Sequence, residues 1–218
     1  MAVTFQLLAL VHILLCCGAL HFRKMEFAIQ HTWDSNPVDH EPIRLAYSDG
    51  KSGLKIEVSG PFFKGFHPPA EPGLPDLSLK IYEVASSVFL DSTKNNYLEV
   101  VLCPYGQHLI VLKAAGYPLY QLLPIEFTTT ITGDTWQGQA LIPWTYFPPN
   151  VNKMNCYASH GIRENRTHEA LYPIPKEDLV EGLYPDAIYQ EYFQNFRLQS
   201  IMGEDWVQPE SDLWRGKA

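Results

Sequence analysis

The side chains best suited to binding a metal ion are grouped around a proline-containing segment near the start of the chain. The group consists of His31, Asp34, Asp39, His40 and Glu41. Asp34 and Asp39 flank the proline, and calcium prefers oxygen ligands of this kind. The same residue types also suit an ordinary polar turn, in which aspartate accepts hydrogen bonds from backbone N–H groups. The turn is the favoured interpretation, so we predict no bound metal and keep calcium as the alternative cofactor.

A haem or transition-metal site would require ligands that are distant in sequence. Its candidates are His31, His40, His160 and Met154, which would have to converge in the folded chain. The sequence has neither a paired-cysteine zinc motif nor a His-Glu-x-x-His element. A metal- or haem-binding domain is therefore the third hypothesis, after a binding module and a hydrolase.

Two arrangements of residues could support hydrolysis. Cys103 ends a predicted strand, and His108 follows across a Pro-Tyr-Gly turn; a cysteine nucleophile needs such a base and an exposed, activated thiol. Glu83 and Glu99 lie on adjacent predicted strands and could act as a pair of carboxylates. No motif supports either arrangement. We therefore predict no catalytic residues, and a hydrolase using Glu99 with a second acid is the alternative.

Sugar binding requires only aromatic rings that stack on pyranose faces and a few fixed polar groups. The chain has five Trp, twelve Tyr and eleven Phe, most of which must form the core. We predict that a ligand site on one open sheet face or in a loop pocket uses Tyr97, Glu99, Trp136 and Tyr172. The predicted function is a non-catalytic module that binds a sugar or small ligand. A protein-interaction domain without a small ligand is a further alternative.

The charge of the chain argues against nucleic acid as a partner. The net charge is −8, and the sixteen Lys and Arg residues are scattered along the sequence. Phosphate backbones are bound by clustered positive charge. The acidity is typical of a soluble surface.

These residues must be positioned by short strands. Seventeen prolines and fourteen glycines are spread along the chain, and apolar residues alternate with polar ones between them. About ten strands follow from this pattern, with turns every eight to twelve residues. The sequence therefore predicts an all-β fold, either a sandwich or a barrel, that forms one domain over residues 25–218. The predicted strands are residues 26–33, 42–47, 53–59, 79–90, 97–103, 107–113, 125–131, 136–143, 154–159 and 167–172.

The C-terminal part has a different character. Residues 186–196 carry apolar side chains near helical spacing, which predicts a short helix or an extended arm on the sandwich. Further on, Trp206 and Trp214 lie among polar residues. Because two exposed indoles would favour aggregation, we expect both to dock onto the domain. The proline-rich stretch 60–78 is predicted to be a long loop.

The N-terminal residues 1–24 resemble a signal peptide. A leucine-rich run is followed by Cys17-Gly18-Ala19, and cleavage after Ala19 is plausible. Translation from Met25, which would give a cytosolic protein, and an uncleaved anchor are the alternatives. Secretion is favoured, and it would make Asn165 of the Asn-Arg-Thr triplet a glycosylation candidate. Cys103 and Cys156 could then form a disulfide or remain buried thiols.

Five separated segments occur in order along the chain, namely residues 31–34, 97–108, 143–150, 169–173 and 206–214. Together they resemble an uncharacterised animal protein family named after a human chromosome 4 open reading frame. The resemblance extends from Met25 to about Trp214. More distantly, residues 88–90, 97–99 and 104–106 are similar to type-9 carbohydrate-binding modules and their DOMON-like relatives. This likeness implies a jelly-roll-like antiparallel β-sandwich, sometimes with calcium and a sugar or haem ligand.

Overall fold

The computed structural model describes residues 23–215. Two antiparallel sheets pack face to face, and the described residues contain a single short α-helix, α1 (Gln199–Met202). The strands are β1 (Met25–Ile29), β2 (His31–Thr32), β3 (Ile43–Asp49), β4 (Gly53–Pro61), β5 (Val84–Asp91), β6 (Asn96–Leu102), β7 (His108–Ala114), β8 (Tyr117–Gln121), β9 (Glu126–Thr132), β10 (Thr135–Pro143), β11 (Lys153–His160), β12 (Thr167–Ala170) and β13 (Gln194–Asn195). The predicted all-β, jelly-roll-like sandwich is confirmed.

The smaller sheet has five strands in the order β1-β3-β4-β10-β9. Buried and more exposed residues alternate along much of β3, β4 and β10, as expected when one face is buried and the other meets water. In β10, the residues at positions 136, 138, 140 and 142 are buried, and Gln137 and Gln139 between them are exposed. The outward face of this sheet is therefore open and polar.

The larger sheet follows the order β2-β12-β11-β5-β6-β7-β8, and β13 pairs with β11. Every residue of β5 and β6 is buried, so neither face of these central strands is open. The reason is a second layer on the outer face. Leu79 packs there against Val101 and Leu109, and Phe193 of the C-terminal arm packs against Tyr97.

The C-terminal arm differs from the predicted helix. Residues 186–196 contain only a 3₁₀ turn (Gln190–Tyr192) and β13, so the helical alternative is wrong and the extended arm is right. Its apolar side chains reach the outer face of the larger sheet from an extended backbone, which satisfies their burial without a helix. The first part of the predicted strand 79–90 is likewise a 3₁₀ helix, Leu77–Ile81.

The tail docks onto the core as predicted. Trp206 and Trp214 are half-buried against the main core, and the ring centroid of Trp206 lies 4.9 Å from that of Trp144. The side chain of Gln208 donates hydrogen bonds to the carbonyls of Phe147 and Pro148. Among residues 23–215, no helix is long and apolar enough to cross a membrane.

Candidate functional site

The four residues predicted to bind a ligand are not brought together. Trp136 is 2% exposed in the core between the sheets, so it cannot stack on a sugar, and this part of the prediction is corrected. Tyr97 is buried on the outer face of the larger sheet, where the Lys113 amine lies 5.4 Å from its ring centroid. Tyr172 follows β12 and is half-buried against the core. Trp136 was assigned to the wrong sheet face because the alternation of apolar and polar residues along a strand distinguishes two faces but does not show which face is covered.

Glu99 lies in a different place, beneath the C-terminal arm. Its carboxylate pairs with the Lys80 amine at 2.8 Å, and a cavity of about 60 Å³ beside it is also lined by Ser86, His168 and Asp186. Such a small space, with its acid already ion-paired to Lys80, does not suit a glycosidase cleft.

Glu83 does not form an acid pair with Glu99. Its carboxylate accepts hydrogen bonds from the backbone N–H groups of Phe63 and Gly65. Burial raises the pKa of Glu83, and the two backbone hydrogen bonds oppose this. Glu99 faces Val88 in the β5–β6 ladder, whereas Glu83 precedes β5 altogether. The role of Glu83 is to fix the loop that carries Phe63.

The alternative of a cysteine nucleophile is excluded, and the favoured interpretation of Cys103 as a buried thiol agrees with the structure. Cys103 and His108 are both fully buried, and burial raises the pKa of the Cys103 thiol to about 12. A thiol of this kind is not ionised at neutral pH and is closed to substrate. Cys156 lies in the main core, apart from the smaller apolar cluster that contains Cys103, and it forms a hydrogen bond with the Tyr47 hydroxyl. Both thiols are free. The disulfide alternative is therefore not formed.

An open concave surface lies on the outward face of the five-stranded sheet. It is a groove of about 530 Å³, which we call the sheet groove. Two cross-strand rows of side chains form its floor, because residues paired across antiparallel strands point to the same face. One row is Ala28, Arg44, Ser59, Gln137 and Thr130; the other is Glu26, Ala46, Glu57, Gln139 and Thr128.

Charge in the sheet groove is largely paired. The Lys24 amine lies 3.2 Å from carboxylate oxygens of both Glu26 and Glu57, and Lys55 lies 2.9 Å from Glu57. The hydrogen bond from Lys55, with that from Lys24, lowers the pKa of Glu57 and outweighs the effect of burial. Arg44 makes no ion pair with any residue of the described range. Its guanidinium is the groove's available binding group for an anion.

The sheet groove continues toward the end of β4. A second depression of about 490 Å³ shares Arg44, Ser59 and Gln137 with it and reaches His40. His40 lies in the loop between β2 and β3. The groove therefore ends at a histidine, a residue type that binds metals and transfers protons near neutral pH.

At this end, three polar side chains converge from separate parts of the chain. The Nε2 atoms of His40 and His160 lie 3.0 and 2.7 Å from the same Oε1 atom of Glu169. All three potential ligand atoms lie within 4.8 Å of one another. His160 ends β11, and Glu169 lies on the paired strand β12, both directed toward the inside of the sandwich. We call these residues the His–Glu–His cluster.

Two of the four predicted metal or haem candidates are thus brought together. His31 is exposed on β2, and Met154 is buried in the core, so neither joins the cluster. Glu169 was missed by sequence reasoning. The signal that could have identified it is its charge next to the apolar residues Ala170 and Leu171. A carboxylate that is buried with such a strand needs a polar or charged partner.

The calcium candidates behave as a turn. The Asp34 carboxylate accepts hydrogen bonds from Thr32 Oγ1 and from the Asn36 side-chain amide. Asp39 is exposed, and neither aspartate belongs to the cluster of potential metal ligands found among residues 23–215. Asn165, the glycosylation candidate, is exposed in the 3₁₀ turn Arg163–Asn165 between β11 and β12.

Comparison with known proteins decides the family. The chain is 55% identical over 192 residues to the UPF0462 protein C4orf33 homolog of Danio rerio, covering 87% of this chain and 98% of that protein. It is 45% identical over 194 residues to UPF0462 protein C4orf33 of Homo sapiens, covering 87% and 96%. The chain belongs to the UPF0462 family. No family model matches this UPF0462 chain.

One solved structure resembles the UPF0462 chain in fold. It is the crystal structure of a putative carbohydrate-binding protein from Bacteroides uniformis ATCC 8492, with a TM-score of 0.58 and 11% sequence identity. The alignment covers 80% of this chain and 85% of that protein. At this identity the likeness shows a shared fold.

Proposed function

We propose that this chain is a non-catalytic module that binds a glycan along the sheet groove. The observation that carries the proposal is the form of the groove: a wide concave sheet face, open to solvent and floored by polar side chains. Ala28 and Ala46 are small, so backbone and neighbouring polar groups remain accessible between the longer side chains. An extended polar ligand can lie across such a surface.

Hydrogen bonds, rather than ring stacking, would bind the ligand. Gln137, Gln139, Thr128 and Thr130 project from adjacent strands as paired donors and acceptors. An amide both donates and accepts, and a hydroxyl does so as well, which matches the hydroxyl groups of a sugar. Phe27 is the aromatic residue among those that line the groove, and its ring packs against Tyr47 in the core.

Arg44 indicates the kind of glycan. Its exposed guanidinium, free of ion pairs with the described residues, lies in the part of the groove shared with the second depression. Arginine binds carboxylates through two parallel hydrogen bonds. The groove therefore suits a glycan that carries carboxylate groups, such as one containing uronic or sialic acid. The fold shared with the putative carbohydrate-binding protein of Bacteroides uniformis supports a sugar as the ligand class.

The test is a glycan array followed by calorimetry with matched acidic and neutral oligosaccharides. We expect binding of at least one acidic glycan, with weaker binding of its neutral counterpart. Arg44→Ala and the double variant Gln137→Ala/Gln139→Ala should each weaken binding about tenfold, since each removes roughly 1.4 kcal/mol of interaction.

Gln121→Ala is the control, because Gln121 is an exposed strand glutamine on β8 of the other sheet. Binding should be unchanged in this variant. No binding to any glycan at millimolar concentration would contradict the proposal, as would binding that is insensitive to the groove substitutions. The first outcome would leave a protein-interaction domain as the function.

A further inference from the structure

The His–Glu–His cluster is assembled by the fold from residues that are far apart in sequence. His40 comes from the loop before β3, and His160 and Glu169 come from the last residue of β11 and from β12. The loop is fixed by β2, whose Thr32 pairs with Glu169, and by the Trp33 N–H, which donates to the His168 carbonyl. The same strand pairing therefore positions the acid and the segment that leads to its histidine.

The protonation of His40 is constrained by its backbone neighbour. Its Nδ1 lies 2.9 Å from the carbonyl oxygen of Glu41, and a carbonyl only accepts, so this contact is a hydrogen bond when Nδ1 carries the hydrogen. In the neutral ring, Nε2 then has a lone pair, and this lone pair faces the Glu169 oxygen at 3.0 Å. Two acceptors at this distance repel each other unless a cation lies between them.

The carboxylate itself needs a further partner. Glu169 is 1% exposed, and its Oε2 atom is buried with no hydrogen-bond partner among the described residues. A buried carboxylate oxygen without a partner is costly. A proton on His40 would satisfy Oε1 and leave Oε2 alone. A metal ion can be bound by both oxygens.

The surroundings hold the two imidazoles in place. The Phe63 ring is stacked on His160, with ring centroids 3.5 Å apart, and it forms a T-shaped pair with the His40 ring, with centroids 4.9 Å apart. Phe63 is fixed by the hydrogen bond from its N–H to Glu83. A backbone carbonyl on the distal histidine nitrogen and an apolar shell around the ligands are typical of metal sites in proteins.

We propose that His40, His160 and Glu169 bind one zinc ion through the two Nε2 atoms and the carboxylate. Imidazole nitrogen with carboxylate oxygen suits zinc rather than calcium or magnesium. Tetrahedral zinc ligands lie about 3.3 Å apart, so the cluster must open by a few tenths of an ångström from its 2.7 and 3.0 Å separations.

The cluster can be reached from solvent. The side chains of His40 and His160 are 15% and 12% exposed, and His40 lines the depression that joins the sheet groove. With both Glu169 oxygens and the two Nε2 atoms bound, zinc has four donor atoms, and a water molecule from this depression would be a fifth ligand. The zinc site goes beyond the proposed glycan binding and does not depend on it.

The test uses the full chain purified without a histidine tag, treated with a chelator and then titrated with Zn²⁺ by calorimetry. We expect one saturable ion per chain. His40→Ala and His160→Ala should each weaken zinc binding by at least about tenfold. Co²⁺ in place of Zn²⁺ should give visible absorption bands that both variants lose. His31→Ala is the control, because His31 is exposed on β2 outside the cluster.

Thermal unfolding with and without Zn²⁺ separates metal binding from folding defects. Zinc should raise the melting temperature of the wild type and of His31→Ala, and leave that of His40→Ala unchanged. Glu169→Gln keeps the shape of the side chain and should lose the zinc effect; should this buried variant not fold, the surface-facing His40→Ala decides. The proposal would be overturned by the absence of stoichiometric zinc binding, or by equal zinc binding in the His40→Ala/His160→Ala double variant and His31→Ala.

Discussion

Buried histidines outside the cluster connect single residues to the stability of the domain. His108 begins β7 and is fully buried, and His168 on β12 is half-buried. Burial lowers the pKa of both imidazoles, because the charged form loses its hydration. For His168, the nearby positive charge of Arg166 acts in the same direction. Both rings are therefore favoured in their neutral form in the folded chain.

This lowering predicts how stability depends on pH. The unfolded chain, with a histidine pKa of 6.5, takes up protons before the folded chain does. The contribution of these histidines to stability is therefore fully present above pH 6.5. It is lost as the pH falls from 6.5 toward their lowered pKa values in the folded chain. We expect the free energy of unfolding of the His108→Gln variant to fall less steeply between pH 7 and 5 than that of the wild type. Urea unfolding followed by fluorescence measures this free energy. The exposed His67→Gln serves as the control and should match the wild-type slope; a wild-type slope in His108→Gln would contradict the prediction.

At the scale of elements, the covering layer decides which sheet face is available. The outer face of the larger sheet is closed by the 3₁₀ helix at residues 77–81 and by the C-terminal arm. Arg166 fastens this layer, since its guanidinium donates to the carbonyls of Lys80, Ile81 and Tyr82. No comparable segment crosses the smaller sheet within residues 23–215. The sheet groove is open because the segments that cover a sheet from outside lie on the larger sheet.

The tail is the element whose contribution can be measured directly. Trp206 packs against Trp144, and Ser211 Oγ donates to the Thr145 carbonyl. Truncation before Glu204 should lower the free energy of unfolding by about 2–4 kcal/mol, less than for two fully buried tryptophans because both indoles are half-exposed. Chemical denaturation measures this change. Trp206→Ala should reproduce part of it, whereas Val207→Ala, at an 82% exposed position, should not; an unchanged truncated protein would show that the tail is free.

At the scale of the whole molecule, the address of the protein determines which ligands it meets. We propose that residues 1–24 act as a signal peptide, on the basis of their leucine-rich run, which lies outside the described residues. Asn165 supports the proposal, since it is exposed in a surface turn within an Asn-Arg-Thr triplet. Secretion would also bring the sheet groove into contact with extracellular acidic glycans.

N-terminal sequencing of protein from native tissue, combined with glycosidase treatment, tests this address. We expect an N-terminus near Leu20 and a mobility shift on deglycosylation, and Asn165→Gln should abolish the shift. An N-terminus at Met25 without any shift would make the protein cytosolic. In that case the candidate glycans of the sheet groove would be restricted to those of the cytosol.

The sequence by itself determined most of the strands, the sandwich class and the docking of the tail. It missed β8, and it joined β1 and β2, which lie in different sheets, into one strand over residues 26–33. The features that it determined are local: alternation along β4 and β10 follows from which side chains prefer water, and it needs no knowledge of distant partners. Trp136 was correctly placed on a strand for this reason. The helical alternative for residues 186–196 failed because aromatic spacing near 3.6 is also met by an extended arm that follows a curved sheet surface.

Only the tertiary structure decided which face is open and which residues meet. Alternation divides a strand into two faces, but the covering segment that buries one of them comes from elsewhere in the chain, so Trp136 and Glu99 were taken for a shared surface. The His–Glu–His cluster likewise depends on the pairing of β2, β12 and β11, which brings His40 to Glu169 across 129 positions of sequence. The spacing of residues along the sequence does not predict such a contact, because the order of strands is set by the packing of the whole sandwich and not by a local pattern.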